Sequence, residues 1–203
     1  MESHRLEEVK KNSTRLGASL IFIDESGFML TPTVRRTWAP VGCTPLIRHH
    51  FANDRISVIS GISVSPTRKR LGLFGMFFWD NIAQQEVVAF LHEVLRHLRG
   101  HVIALLDNGN IHKGAPLQEL CQKFPRLHVE YFPAYAPTLN PDEAVWGLLK
   151  GKLANGRPDD LQELAEQLQS EFRHLAQSQP KLRGCIRQSE LPFSLPRSLH
   201  YLC

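Results

Sequence analysis

The chain has 203 residues, enough for one main domain with a sizeable core. Its 24 Lys and Arg against 20 Asp and Glu give a net charge of +4 and a pI near 9.0, a balance that permits a polyanionic partner without demanding one. The cysteines (Cys43, Cys121, Cys185 and Cys203) form no C-x-x-C pair, so neither a zinc site nor a disulfide framework is suggested. The charged N-terminus and the lack of an apolar run of ~18 residues argue against secretion and membrane insertion and for a cytoplasmic protein.

The first apolar run, "SLIFIDESGF", is continuous and β-branched, and predicts a strand buried on both faces that stops at Ser26-Gly27. After the turn-rich "TPTVRRTWAPVG" come two more strand-like runs, "RISVISGISVS" and "RLGLFGMFFW", which with the first suggest an antiparallel meander. From Asn81 the period changes to that of an amphipathic helix ending at Gly100. Then "HVIALLD" reads as a buried strand, "APLQELCQKF" as a short helix and "LHVEYF" as another strand. A helix over about 140–153 and a charged one across "DDLQELAEQLQSEFRHLAQ" follow. Residues 1–18 are expected to be a lead-in segment, 19–178 the domain, and 179–203, with its prolines and weak periodicity, an irregular tail. Three antiparallel strands followed by strand–helix alternation imply an α/β fold, a mixed sheet with helices on its faces.

In this reading Asp24 ends the first strand and Asp107 the fourth, each preceded by apolar residues that carry it to a sheet edge. Two carboxylates held close repel and raise one another's pKa unless a cation neutralises them, and a hard divalent ion completed by waters and phosphate oxygens is the natural solution. A third acid from a neighbouring helix would allow two ions, which can activate a nucleophile and stabilise the leaving oxygen of an in-line phosphoryl displacement.

The ordered trio "FIDESGF", "LLDNGNIHKG" and "YFPAYAPTLNPDEAVWGLLK" resembles the catalytic domain of mariner-like bacterial insertion-sequence transposases, the DDE superfamily endonucleases. Asn140, Pro141, Glu143 and Trp146 match that family's Asn-Pro-x-Glu-x-x-Trp motif, and 35 residues separate Asp107 from Glu143. The resemblance implies a ribonuclease H-like fold with Asp24, Asp107 and Glu143 as catalytic ligands of two Mg²⁺ or Mn²⁺ ions. It implies cleavage of DNA phosphodiesters at transposon ends and attack of the freed 3′-hydroxyl on target DNA, with the protein among the nucleoid. Full-length members generally carry an N-terminal helix-turn-helix region, whereas 23 residues precede Asp24 here. A separate helix-turn-helix polypeptide and a homodimer are therefore candidate partners beside the DNA itself. The alternatives are a ribonuclease H-like or junction nuclease, or a non-catalytic DNA-binding remnant.

Each residue also has a plainer reading. Asp24, with the equally acidic Glu25 beside it, and Asp107 could be turn acids. Glu143 could close a capping box on Asn140, with Pro141 at the first helical position and Asp142 complementing the helix dipole. His112 and Lys113 follow Asp107 and are candidates for phosphate contact or for the surroundings of a metal, against the reading of solvated loop positions. Arg35, Arg36, Arg68, Lys69 and Arg70 could neutralise DNA phosphates, and Trp38 could stack on a base, although Trp38 and Trp146 are more simply core residues.

Overall fold

The computed structural model describes residues 2–30, 38–43, 55–134, 136–154, 158–191 and 195–196. A five-stranded sheet runs through the molecule in the order β3-β2-β1-β4-β5. The strands are β1 (Ser19–Met29), β2 (Arg55–Val64), β3 (Leu71–Phe78), β4 (Val102–Leu106) and β5 (Leu127–Tyr131). The first three pair antiparallel, while β4 lies parallel to β1 and β5 parallel to β4. The meander and the later alternation are thus both present, in the mixed sheet expected of a ribonuclease H-like fold. Parallel neighbours require long crossovers, supplied here by α2 (Gln84–His97) and α3 (Ala115–Lys123).

The two faces of the central strand separate by the two-residue period of a strand. Leu20, Phe22 and Phe28 join the core on one face, with α1 (Glu2–Leu16), α4 (Asp142–Leu153), α5 (Leu161–Ala176) and α6 (Gln179–Gln188). Ile21 and Ile23 join the other, against α2 and α3. Helices therefore cover both sides of the sheet, and β1 is buried between two cores.

Three expectations need correction. Strand β1 does not stop at Ser26-Gly27 but continues to Met29, because Ser26 and Gly27 pair with Val58 and Ser57 of β2. Asp24 therefore sits in the middle of a strand rather than at its end. Residues from 179 are not all irregular, since α6 buries Leu182, Cys185 and Ile186, with Pro180 in its first turn, where proline's missing N–H costs nothing. The lead-in is also helical, and Leu6 and Val9 of α1 enter the same core as α6. No helix among the described residues is long and apolar enough to cross a membrane.

Candidate active site

Helix α4 is fastened to β1 at two consecutive residues. The Asn140 side chain donates to the Ile23 carbonyl at 3.1 Å, and its own oxygen accepts the Asp142 N–H at 3.1 Å, so one buried amide both starts the helix and docks it on the sheet. Two turns along, the buried Trp146 indole N–H donates to Asp24 Oδ2 at 2.9 Å, and Phe28 packs edge-on to the indole at 6.0 Å between centroids. Trp146 is thus a core residue, but its polar edge orients an acid.

Glu143 lies between these two fastenings, three residues from each and so on the face of α4 that meets β1. It does not fold back into a capping box, because the Asn140 N–H is already given to the Pro137 carbonyl at 2.9 Å. The Glu143 side chain is exposed and, with Asp107, lines a cavity of about 410 Å³ that Phe132 and Asn140 also border. Pro141, expected at the first helical position, takes the N-cap place in helical geometry.

Asp107 follows β4 directly. Leu105 pairs with Phe22 of the parallel β1, so Asp107 and Asp24 stand two residues beyond the same rung on adjacent strands, which run about 4.8 Å apart. Burial raises the Asp24 carboxyl to about 7, with the negative charges of Glu143 and Glu25 adding to the rise and the Trp146 hydrogen bond opposing it. Asp24 and Asp107 thus lie beside each other where β4 ends, and Glu143 lies on the face of α4 that meets β1. Among the described residues no three His, Cys, Asp or Glu side chains are placed so that together they could hold a metal ion. The chemistry of the donors nonetheless fits a hard divalent cation: all are carboxylate oxygens, and Asp24 already bears the like-charge penalty that a cation would relieve.

The other acids of the motifs have different surroundings. Glu25 points to the opposite face from Asp24 and meets His112, whose Nε2 is 3.0 Å from Glu25 Oε1. His112 is buried, not a solvated loop residue, and its Nδ1 lies 2.5 Å from Asp107 Oδ1. Burial disfavours the charged imidazole, but the hydrogen bond and charge of Glu25, then Asp107, outweigh it and raise the His112 pKa. Asp142 is not a solvated dipole partner: it is fully buried, takes a 2.5 Å hydrogen bond from Ser60 on β2, and leaves Oδ1 without a partner. Desolvation pushes its pKa well up, with the Ser60 bond opposing and Asp24, Glu25 and Glu143 adding to the rise. Nothing in the sequence singled out Ser60; only its cross-strand pairing with Asp24 places it there.

The expected basic contacts do not converge on these acids. Arg68, Lys69 and Arg70 form the β2–β3 turn beyond Val64, which pairs with Leu20, four residues or roughly 13 Å up β1 from Asp24. That turn is held by Arg183 of α6, which donates to the Lys69 carbonyl at 2.6 Å. Lys113 is exposed, with its ammonium 5.8 Å from the Tyr131 ring centroid. Trp38 is fully exposed rather than core, and Arg35 and Arg36 lie outside the described residues.

The family model of the DDE superfamily endonucleases matches residues 19–165, which include all three acids and the helix that carries the third. The chain belongs to the DDE superfamily endonucleases. No curated protein matches it by sequence. Solved structures similar to this DDE endonuclease chain include the Mos1 strand transfer complex, with a TM-score of 0.65 and 16% identity over 92% of this chain and 56% of that one. The Mos1 mariner paired end complex with Mn gives a TM-score of 0.65 and 15% identity over 92% of this chain and 59% of that one. The catalytic domain of Mos1 mariner transposase gives 0.56 and 14% identity, covering 95% of each chain. At these identities the likeness establishes the ribonuclease H-like fold. The DDE chain spans less than two thirds of the first two proteins and nearly all of the isolated catalytic domain.

Proposed function

We propose that this DDE endonuclease chain is the catalytic domain of a DNA transposase. It cleaves phosphodiester bonds at transposon ends and joins the freed 3′-hydroxyl to target DNA, with Asp24, Asp107 and Glu143 holding two Mg²⁺ or Mn²⁺ ions. The observation that carries the reading is the convergence of Asp24 and Asp107 from adjacent parallel strands with Glu143 from a helix docked on Ile23 and Asp24. Its support is the family, the fold of a relative solved with Mn, and the like-charge crowding at Asp24.

The bound ions supply charge neutralisation at the phosphoryl group and an activated oxygen nucleophile. The protein supplies position. Trp146 fixes one oxygen of Asp24, the Asn140 clamp sets the height of Glu143 over β1, and the cavity bordered by Asp107, Glu143 and Phe132 receives the scissile phosphate. Recognition of the ends by a separate helix-turn-helix polypeptide and action as a homodimer are parts of the same proposal.

The test is incubation of the purified chain with labelled DNA carrying the element's ends and with Mg²⁺ or Mn²⁺. Cleavage and joined products are expected, and Asp107→Asn should lower the rate by about a thousandfold, since metal stabilisation of a phosphoryl transition state contributes several kcal/mol. Undiminished cutting by Asp107→Asn would remove the ligand assignment. Cutting of RNA–DNA hybrids or branched DNA without joining would turn the reading to a different nuclease on this fold.

A further inference from the structure

The adjacent acids Asp24 and Glu25 face opposite sides of β1, and only Asp24 meets helix α4. Glu25 therefore needs a different account, and its partner gives one. His112 is 1% exposed, whereas the Asp107 side chain it touches is 58% exposed and follows the last residue of β4. Packing alone does not set the direction of an acid that open. Close polar contacts do: Oδ1 of Asp107 accepts the Gly109 N–H at 2.8 Å and lies 2.5 Å from His112 Nδ1, which also reaches the Asp107 main-chain carbonyl at 3.2 Å.

The ring that supplies this contact is itself held from every side. Glu25 Oε1 takes its far nitrogen at 3.0 Å, and the Tyr131 hydroxyl donates to the His112 carbonyl at 2.7 Å. The Gln84 amide donates to the Lys113 carbonyl at 3.1 Å, and Gly114 has no room for a Cβ against that same amide. Residues 107–114 are thus anchored to β1, β5 and α2 at once.

Resting on the metal-site reading above, we propose that Glu25 and His112 are a positioning pair. They grip the Asp107 carboxylate by Oδ1, fix its rotamer, and leave Oδ2 as the oxygen available to a cation in the cavity. Neither Glu25 nor His112 touches the cation or the DNA. Groups that orient metal ligands in this way commonly carry a 10–100-fold effect on metal affinity.

Mn²⁺ binding to the full chain, followed by electron paramagnetic resonance, tests the pair, with thermal melts to verify folding. Glu25→Ala and His112→Gln should each weaken Mn²⁺ binding about tenfold or more. The kcat for DNA cleavage should fall in step, with KM for DNA unchanged. Glu25→Gln keeps an acceptor for the ring while losing the charge, so it should stay within about threefold of the parent. A mere through-space charge effect would instead make it as weak as Glu25→Ala. His112→Asn, whose amide N–H falls near the Nδ1 position, should recover most of the affinity that His112→Gln loses. The double variant should be no weaker than its worse single, because both act through one carboxylate.

Unchanged Mn²⁺ affinity in Glu25→Ala and His112→Gln, with binding lost in Asp107→Asn, would overturn the positioning pair and leave the metal site standing. Fully additive losses would overturn the pair as a unit. No Mn²⁺ binding by the parent chain would remove the metal site and the pair together. If His112→Gln fails to fold, the contrast between Glu25→Ala and Glu25→Gln decides alone.

Discussion

Asp24 and Asp142 are acids whose surroundings favour the protonated form, and both lie on the α4 face of the sheet beside Ser60. The sign of their effect on stability follows from linkage. Between the unfolded carboxyl pKa of 3.8 and the folded value of about 7, native Asp24 binds more protons than the unfolded chain. Stability therefore falls as pH rises through that window. Asp142, raised well above 3.8 by burial, contributes in the same direction. In EDTA-treated protein the melting temperature should decline from pH 4 to above pH 7, with Asp24 alone contributing on the order of 4 kcal/mol. Asp24→Asn removes one of the two titrations and should flatten the profile. A melting temperature that rises over the same window would show that neither acid is destabilised by its site. Choosing Asp24 over Glu25 from sequence required the family motif, since composition treats the two alike. In the structure the two differ in surroundings, since strand alternation turns Asp24 to Trp146 of α4 and Glu25 to His112 on the other face.

The elements most legible in the sequence were those with dense apolar patterns: β1, β2 and β4, whose buried runs read directly as strands, and α2, whose Val87, Phe90, Leu91, Val94 and Leu95 repeat at helical spacing. Helix α6 was hidden because only Leu182, Cys185 and Ile186 of its ten residues are buried, between Pro180 and the exposed basic residue Arg187. That i, i+3, i+4 spacing is a helix signal, and Pro180 marks a start, not a break. The burial at Ser60 and Asp142 was not legible at all, because it depends on which face of β2 meets α4. Helix α6 also supports the edge of the sheet: the Gln179 amide accepts the Leu71 N–H at 3.0 Å and donates to the Leu71 carbonyl at 2.6 Å, where β3 begins. Leu182→Ala should cost about 2–5 kcal/mol by leaving a cavity in that packing. At Gly75 of β3 an added Cβ would overlap the Phe172 ring of α5, so Gly75→Ala should cost about 1–3 kcal/mol. Chemical denaturation checks both, and a neutral Leu182→Ala would mean that α6 is not part of the cooperative unit.

At the scale of the whole molecule, folding buries Asp24 beside other negative charges, so the cation that the proposed site binds should also act as a stabilising ligand. Binding to the native state alone adds about 2.7 kcal/mol when the free ion is at a hundred times its dissociation constant. For a domain of this size each kcal/mol raises the melting temperature by about 2–4 °C, so saturating Mg²⁺ should raise it by roughly 5–11 °C. The gain should depend on pH, because the ion and the proton compete for Asp24, whose carboxyl titrates at about 7. At pH 8 the carboxylate is already ionised and pays its full repulsion, so the Mg²⁺ shift is largest there. At pH 5 the proton must first be displaced, and the shift shrinks. Asp107→Asn should abolish most of the shift at either pH while leaving the metal-free melting temperature close to that of the parent, since the Asp107 side chain is largely exposed. Calorimetry at the two pH values, with and without Mg²⁺, checks this. An equal Mg²⁺ shift at pH 5 and pH 8, retained in Asp107→Asn, would place the bound ion somewhere other than these three acids.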